Sequence, residues 1–325
     1  MSQSFKGLGL PEPLTNALFR QGIKEPFPVQ SAAIPLALDG SDLLGKAPTG
    51  SGKTLAFGLP VLSLVTRAES LRPKALVLAP TRELADQIKA DLAPLAKSLR
   101  KHVFAIYGGV AYGAQRSALR RGVDVLVATP GRLEDLIAQR LVDLSKIEIV
   151  VIDEADRMAD MGFIPAVRRI LDLTPRRRQT MLFSATLDGD VSTLSKKYQT
   201  DPVRIEAKSI RQEAVKAVHH FWNVKREDRV SHTAEVVSAK GRSIVFTRTR
   251  RGADRLAKQL DRSGVAAVAM HGGRSQSQRT RALKSFASGR TPALVATDVA
   301  ARGIHVDDVA CVIHYDLAGD HKDYT

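Results

Sequence analysis

The chain has 325 residues, enough for about two domains, and its 44% hydrophobic and 26% charged content is that of an ordinary globular protein. That balance excludes a disordered or collagen-like chain, and the longest uncharged run, residues 102–115, is too short for the roughly 20 apolar residues of a membrane span. Forty-nine Lys and Arg against 34 Asp and Glu leave a net charge of +15, a field that attracts polyanions, while the single cysteine, Cys311, excludes an internal disulfide and a cysteine-built zinc site. The first residues, Met1 to Lys6, carry no apolar signal core, so a cytoplasmic chain without membrane contact is expected.

The run 42–45 precedes Ala47-Pro48-Thr49-Gly50-Ser51-Gly52-Lys53-Thr54, and an apolar helix is predicted over 55–65. Gly50 and Gly52 let the backbone curl so that amide groups point at phosphate oxygens, helped by the helix N-terminus. Lys53 is placed to reach β- and γ-phosphates and the Thr54 hydroxyl to ligate Mg²⁺. A chance match in a loop is the bland alternative; the strand, loop and helix context disfavours it.

Strands are predicted at 75–79, 103–107, 123–128, 147–152 and 180–183, each followed by an amphipathic stretch; after Arg82 the stripe is Leu84, Ile88, Leu92 and Leu95. This is the pattern of a mostly parallel α/β sheet. The run Ile149-Val150-Val151-Ile152 ends in Asp153-Glu154-Ala155-Asp156, carboxylates at the end of a strand where open α/β sheets place ligands. Alone, this acidic run reads as a helix cap. With a phosphate loop upstream, Asp153 becomes the candidate Mg²⁺ holder, partly through water, and Glu154 the base for the attacking water.

A polar stretch marks a hinge, giving domains 1–206 and 217–325 joined by a linker, 207–216. Strands are predicted in the second domain at 217–224, 243–246, 265–270, 293–296 and 309–314. Divided at residue 210, the two parts carry net +7 and +8, so the shorter part is the more strongly basic. The clusters Arg176-Arg177-Arg178 and Arg248/Arg250/Arg251 are by default solvated faces. His219-His220 is expected in core packing or solvent rather than at a metal, Trp222 as an apolar anchor, and Cys311 as a small buried hydrophobe.

Asp153-Glu154-Ala155-Asp156 and the loop Ala47–Thr54 resemble those of DEAD-box ATP-dependent RNA helicases of superfamily 2, of bacterial type. Phe5 with Gly22, Pro26 and Gln30 resembles the family's adenine-reading segment. Pro80-Thr81-Arg82-Glu83-Leu84-Ala85, Gly108-Gly109 and Thr129-Pro130-Gly131-Arg132 resemble its RNA-contact segments, and Ser184-Ala185-Thr186 its coupling segment. Later matches are Ile244–Thr249, His271-Gly272-Gly273 through Gln278-Arg279, and Ala296-Thr297-Asp298 through Arg302-Gly303. The resemblance implies two RecA-like domains with mostly parallel sheets flanked by helices, the second incomplete. It implies ATP-dependent unwinding of RNA duplexes or remodelling of RNA–protein complexes, with ATP and Mg²⁺ as cofactors.

By the same resemblance, Phe5, Gln30, Thr49, Gly50, Ser51, Gly52, Lys53, Thr54 and Asp298 bind ATP, and Glu154, Lys53, Asp153, Ser184 and Thr186 serve hydrolysis. Gln30 offers a donor and an acceptor on one amide, matching adenine. Pro80, Thr81, Arg82, Gly108, Gly109, Thr129, Pro130, Gly131, Arg132, Arg248, Gly272 and Thr297 bind the sugar-phosphate backbone of RNA without reading sequence. Asp156 and Arg302 act between domains. Candidate protein partners are ribosome-assembly or RNA-decay factors, and a monomer is expected.

The family's next segment, rich in arginine, would follow Asp323-Tyr324-Thr325. Such arginines are worth about 10³–10⁵ in rate, so residues 1–325 are expected to bind ATP but hydrolyse it poorly. His305 stands where the family commonly has an acid, with Asp307 or Asp308 as replacements. A non-catalytic RNA-binding or annealing module and a DNA-directed superfamily-2 ATPase are the alternatives.

Overall fold

Runs such as Ala75-Leu76-Val77-Leu78 are apolar at every position, which suits a strand covered on both faces. The computed structural model describes residues 4–48, 50–206, 218–297, 306 and 308–318, and the chain divides into two units, 1–215 and 216–325. The predicted linker 207–216, together with Thr49, Asp298, Arg302, His305 and Asp307, lies outside the described residues.

In unit one the strands are β1 (Leu43–Lys46), β2 (Ala75–Leu78), β3 (Val103–Ile106), β4 (Val125–Ala128), β5 (Ile149–Ile152), β6 (Gln179–Ser184) and β7 (Val203–Glu206). Among the described residues they form one sheet in the order β3-β4-β2-β5-β6-β1-β7, and every pairing is parallel. Alternate residues of the central strands enter two separate cores. Ala75 and Val77 pack with Val125, Val127 and Val151 on one face, and Leu76 and Leu78 with Leu126, Val150 and Ile152 on the other. Helices cover both faces, as the period of Leu84, Ile88, Leu92 and Leu95 predicts for Arg82–Ser98.

Unit two has β8 (Ser243–Phe246), β9 (Ala267–Met270), β10 (Ala293–Ala296) and β11 (Cys311–His314), a parallel sheet ordered β11-β8-β10-β9. The expected α/β class with two parallel sheets is therefore present. Three details differ from the sequence reading. β7 was not predicted, and residues 218–224 are not a strand. Phe221 is 83% and Trp222 52% exposed, because no sheet neighbour among the described residues pairs with them. Trp222 instead stacks on His220 and meets the edge of His232. Cys311, expected to be buried, is half-buried because β11 is an edge strand. No helix among the described residues is long and apolar enough to cross a membrane.

Candidate nucleotide and nucleic-acid site

Because all seven strands of unit one run the same way, their carboxyl ends form a single edge, and the motif loops leave from it. The ladder carries the chain into these loops in register. Ala47 N donates to Ser184 O at 3.0 Å, Asp153 N to Leu78 O at 3.0 Å, and Thr129 N to Ile106 O at 3.1 Å. β6 lies between β1 and β5, so Ser184-Ala185-Thr186 leaves the sheet between the phosphate-type loop and the carboxylates.

The loop after β1 turns through Gly50 (φ 79°) and Gly52 (φ 90°) into the helix Lys53–Leu64. At Gly52 a Cβ would lie 2.6 Å from Phe27 Cδ2 and 2.7 Å from Gln30 Nε2, so only glycine fits both the backbone and the space. Gln30 is buried and uses both ends of its amide. Its Nε2 donates to Gly52 O at 3.0 Å, and its Oε1 accepts from Phe27 N at 2.9 Å. One donor hydrogen and one lone pair remain on the amide. Phe5 is buried in the core beside Leu8, Leu10 and Leu14, so its ring serves packing.

Lys53 is buried, donating to Ala47 O at 3.0 Å with its Nζ 3.8 Å from Asp153 Oδ1. Ser51 Oγ is buried with no hydrogen-bond partner. Burial raises the Asp153 carboxyl to about 6, against the opposing pull of Lys53 and with help from the neighbouring Glu154 charge. Glu154 adopts a left-handed backbone (φ 52°, ψ 53°) at the start of the helix Ala155–Asp160, a strained position for a side chain with a Cβ. Its Oε2 accepts from Arg157 Nη1 at 2.9 Å. Asp156 accepts from the backbone amides of Ala185 and Thr186 at 3.1 and 3.2 Å through one oxygen, and its own amide donates to Ser184 Oγ at 3.1 Å.

The residues fit a magnesium nucleotide. Mg²⁺ favours hard oxygen donors, keeps several waters and takes one or two carboxylates plus phosphates; the buried Asp153 carboxylate and the Thr54 hydroxyl are donors of that kind. The unpartnered Ser51 Oγ and the left-handed glycines suit an oxyanion in the loop.

The nucleic-acid candidates leave the other half of the same edge, after β2, β3 and β4. Thr81 caps the helix Arg82–Ser98, its hydroxyl accepting from Leu84 N at 3.2 Å, and Pro80 is buried before it. The Arg82 guanidinium lies so close to Gly108 and Gly109 that a Cβ at Gly109 would overlap it. Thr129 precedes Pro130, the first residue of the helix Pro130–Ala138, with Gly131 exposed next to it. Arg132, a candidate RNA contact, already has partners within the fold. It is buried, donates through both terminal nitrogens to Val110 O at 3.3 and 3.2 Å, and stands 4.0 Å over the Tyr112 ring. It braces the loop that follows Gly109.

In unit two the candidates again sit at carboxyl ends: Arg248 after β8, Gly272 after β9 and Thr297 after β10. Arg248 is exposed, its backbone amide donating to Asp316 at 2.9 Å. His271 Nδ1 accepts from Gly273 N at 3.2 Å, which leaves the proton on Nε2 for Asp254 at 2.9 Å; the same carboxylate receives Arg274. Asp308 pairs with Arg242 at 3.1 Å. Sequence reasoning missed Arg157, Asp254 and Arg274. Only Arg157 left a signal, an opposite charge three residues after Glu154 on a helix.

Comparison with known proteins agrees with this geometry. Residues 27–194 match the DEAD/DEAH box helicase model and 228–325 the helicase conserved C-terminal domain. The chain is 39% identical to DEAD-box ATP-dependent RNA helicase 20 of Arabidopsis thaliana over 99% of its length, and 38% identical to DEAD-box ATP-dependent RNA helicase CshA of Bacillus subtilis over 100%. It spans 66% of each of these, and 44% of the chloroplastic helicase 3B of Zea mays. Among solved structures, S. cerevisiae Dbp5 bound to RNA and ADP BeF3 superposes with a TM-score of 0.85 at 30% identity, covering 99% of this chain and 82% of that one. A phosphate loop, a buried lysine–carboxylate pair and two matching family models in sequence order lead to one assignment: the chain belongs to the DEAD/DEAH box helicase family.

Proposed function

We propose that the chain is the core of an ATP-dependent RNA helicase, binding ATP at the carboxyl edge of unit one and using its binding and hydrolysis to separate RNA strands locally or remodel RNA–protein complexes. The observation that supports this most is the buried Lys53–Asp153 pair, 3.8 Å apart beneath the glycine loop. A lysine and a carboxylate held together out of water are costly unless they serve a charged ligand. In this reading Gly50, Ser51, Gly52 and Lys53 cradle phosphates, Gln30 carries the adenine preference, and Glu154 orients the attacking water and takes its proton. Thr49 and Asp298 complete the nucleotide contacts. Magnesium, held by Asp153 and Thr54, would neutralise charge on the phosphates.

Arg157 holds the Glu154 carboxylate, and Asp156 ties the carboxylate segment to Ser184–Thr186, whose movement relays the state of the phosphates. Pro80, Thr81, Arg82, Gly108, Gly109 and Thr129–Gly131, with Arg248, Gly272 and Thr297, grip the backbone of RNA, while Arg132 supports the loop beside them. Arg302 acts with Asp156 in coupling the domains.

The test is RNA binding by the chain with and without a non-hydrolysable adenine nucleotide, alongside single-turnover hydrolysis. Lys53→Ala is expected to lose nucleotide binding, and Glu154→Gln to keep it while losing hydrolysis. RNA affinity indifferent to nucleotide, or Glu154→Gln hydrolysing as fast as wild type, would overturn the reading. DNA competing as well as RNA would move the assignment to a DNA-directed ATPase.

A further inference from the structure

The edge of unit one opposite the motif loops carries an open cleft of about 480 Å³ whose walls include Gly40, Lys74, Lys146, Glu148, Arg177 and Arg178. These residues precede β1, β2, β5 and β6, so the cleft belongs to the amino edge of the sheet. Its charge is lopsided. Glu148 is already committed, accepting from Thr66 N at 3.0 Å, from Thr66 Oγ1 at 2.6 Å and from Lys74 Nζ at 3.1 Å. Asp42, the acid that acts most strongly on Arg178, spends one oxygen on Thr180 N at 2.6 Å and the other on Thr200 N at 2.7 Å.

Among the described residues no ion pair engages Lys146, Arg177 or Arg178. Arg178 donates through Nη1 to Pro175 O at 2.8 Å, while its Nε and Nη2 are buried without a partner. Burying such a cation is costly, and an anion in the cleft offsets that cost through its charge, pairing directly with the exposed Lys146 and Arg177. No aromatic side chain lines the cleft, and its apolar lining is confined to Ile147 and Pro175. A peptide would need apolar pockets to anchor it, whereas a phosphate backbone needs only the cations and donors present.

We propose that this cleft is a second RNA site, taking the sugar-phosphate backbone of a strand that continues beyond the motif edge. The proposal rests on the motif edge being the primary RNA face. Strands of four to six residues separate the two edges by roughly 13–20 Å of sheet. An RNA strand held at the motif edge must therefore continue by several nucleotides to reach the cleft. A short strand covering only the motif edge therefore never meets it.

Lys146 and Arg177 are exposed, so Lys146→Gln with Arg177→Gln leaves the core untouched. Binding of the full chain to a short and a long single-stranded RNA, across a salt series, tests the site. The double variant is expected to bind the long RNA about tenfold more weakly, with its log–log salt slope reduced by about 1.4, while the short RNA is bound as by wild type. The charge-preserving pair Lys146→Arg with Arg177→Lys is expected to retain long-RNA binding. An unchanged slope on the long RNA, or equal losses on both lengths, overturns the proposal. Poly-glutamate bound by wild type with greater sensitivity to the double variant than RNA would reassign the cleft to an acidic protein. Failure of wild type to bind the short RNA sinks the motif-edge reading instead, and the slope on the long RNA still decides the cleft.

Discussion

Gln30 offers a sharp test because its two bonds are internal. Its amide joins Phe27 N to Gly52 O across the phosphate loop, at 2.9 and 3.0 Å, with 2% of the residue exposed. Gln30→Ala removes both. Phe27 is 46% exposed, so water replaces one bond; the Gly52 carbonyl keeps its bond from Ala56 N at 3.3 Å but loses the one from Gln30. Losing one hydrogen bond of this kind costs about 0.5–1.5 kcal/mol, and the left-handed Gly52 loses a side-chain contact that holds it. If that cost falls on the phosphate-binding conformation, affinity drops by roughly 2- to 13-fold. The drop must appear for ATP, GTP and pyrophosphate alike, because the loop grips phosphates and not the base. Calorimetric titration of the three ligands against wild type and variant reads it directly. Pyrophosphate bound as tightly by Gln30→Ala as by wild type would refute the anchoring role and leave Gln30 as a reader of the base alone.

Three further outcomes follow from single contacts. Gly109→Ala puts a Cβ on a backbone at φ 78° and into the Arg82 guanidinium; beyond about 1–2 kcal/mol of backbone strain, RNA affinity should fall about tenfold with nucleotide affinity unchanged, both read by fluorescence titration. Asp156→Ala removes the acceptor shared by the Ala185 and Thr186 amides, so nucleotide binding should persist while single-turnover hydrolysis stops responding to RNA. Burial pushes the Asp254 carboxyl up, but hydrogen bonds from His271 and Arg274 outweigh it and hold the group below its ordinary 3.8. The stability this gives unit two is present above that unfolded value and is lost as pH falls through the folded one; melting curves between about pH 5 and 3 should steepen downward for wild type and flatten for Asp254→Asn.

The central strands were legible because burial on both faces forces an unbroken apolar run, as in β2, β4 and β5. β7 escaped notice because an edge strand reading Val-Arg-Ile-Glu alternates polar with apolar over only four residues, too few for a period to stand out. Residues 218–224 misled in the opposite direction. Phe221 and Trp222 have strong strand preference, yet preference does not supply a neighbour to pair with. At the site, the loop residues were legible by type, since only glycine tolerates the backbone of Gly52 and only a short capping side chain suits Thr81. Their partners were not. Gln30 meets Gly52, and Arg132 meets Val110, across 22 positions in each case, contacts that only the folded packing of these elements brings together. Arg132 shows this clearly: its bonds to Val110 O and its place over the Tyr112 ring leave no trace in the motif itself.

In the proposed reading, the position of β6 links the phosphate loop to the carboxylate segment. The phosphate loop leaves β1 and the carboxylates leave β5, and neither strand pairs with the other; β6 pairs with both. Ala47 is bonded to Ser184 on one side, and Asp156 to Ser184, Ala185 and Thr186 on the other. A displacement of Asp153 or Glu154 toward or away from a phosphate must strain those bonds or carry residues 184–186 with it. Beyond β5, the next strand is β2, whose end carries Thr81 and Arg82, and Asp153 N is bonded to Leu78 O at the last residue of that strand. The carboxylate segment thus has a rigid tie on the nucleic-acid side and a polar, hydroxyl- and amide-built tie on the nucleotide side. The second is the one that can rearrange, because amide–carboxylate bonds at exposed residues exchange with water at little cost, whereas a strand ladder buried on both faces does not. Coupling is therefore expected to travel through residues 184–186, and through the single carboxylate of Asp156 that holds them.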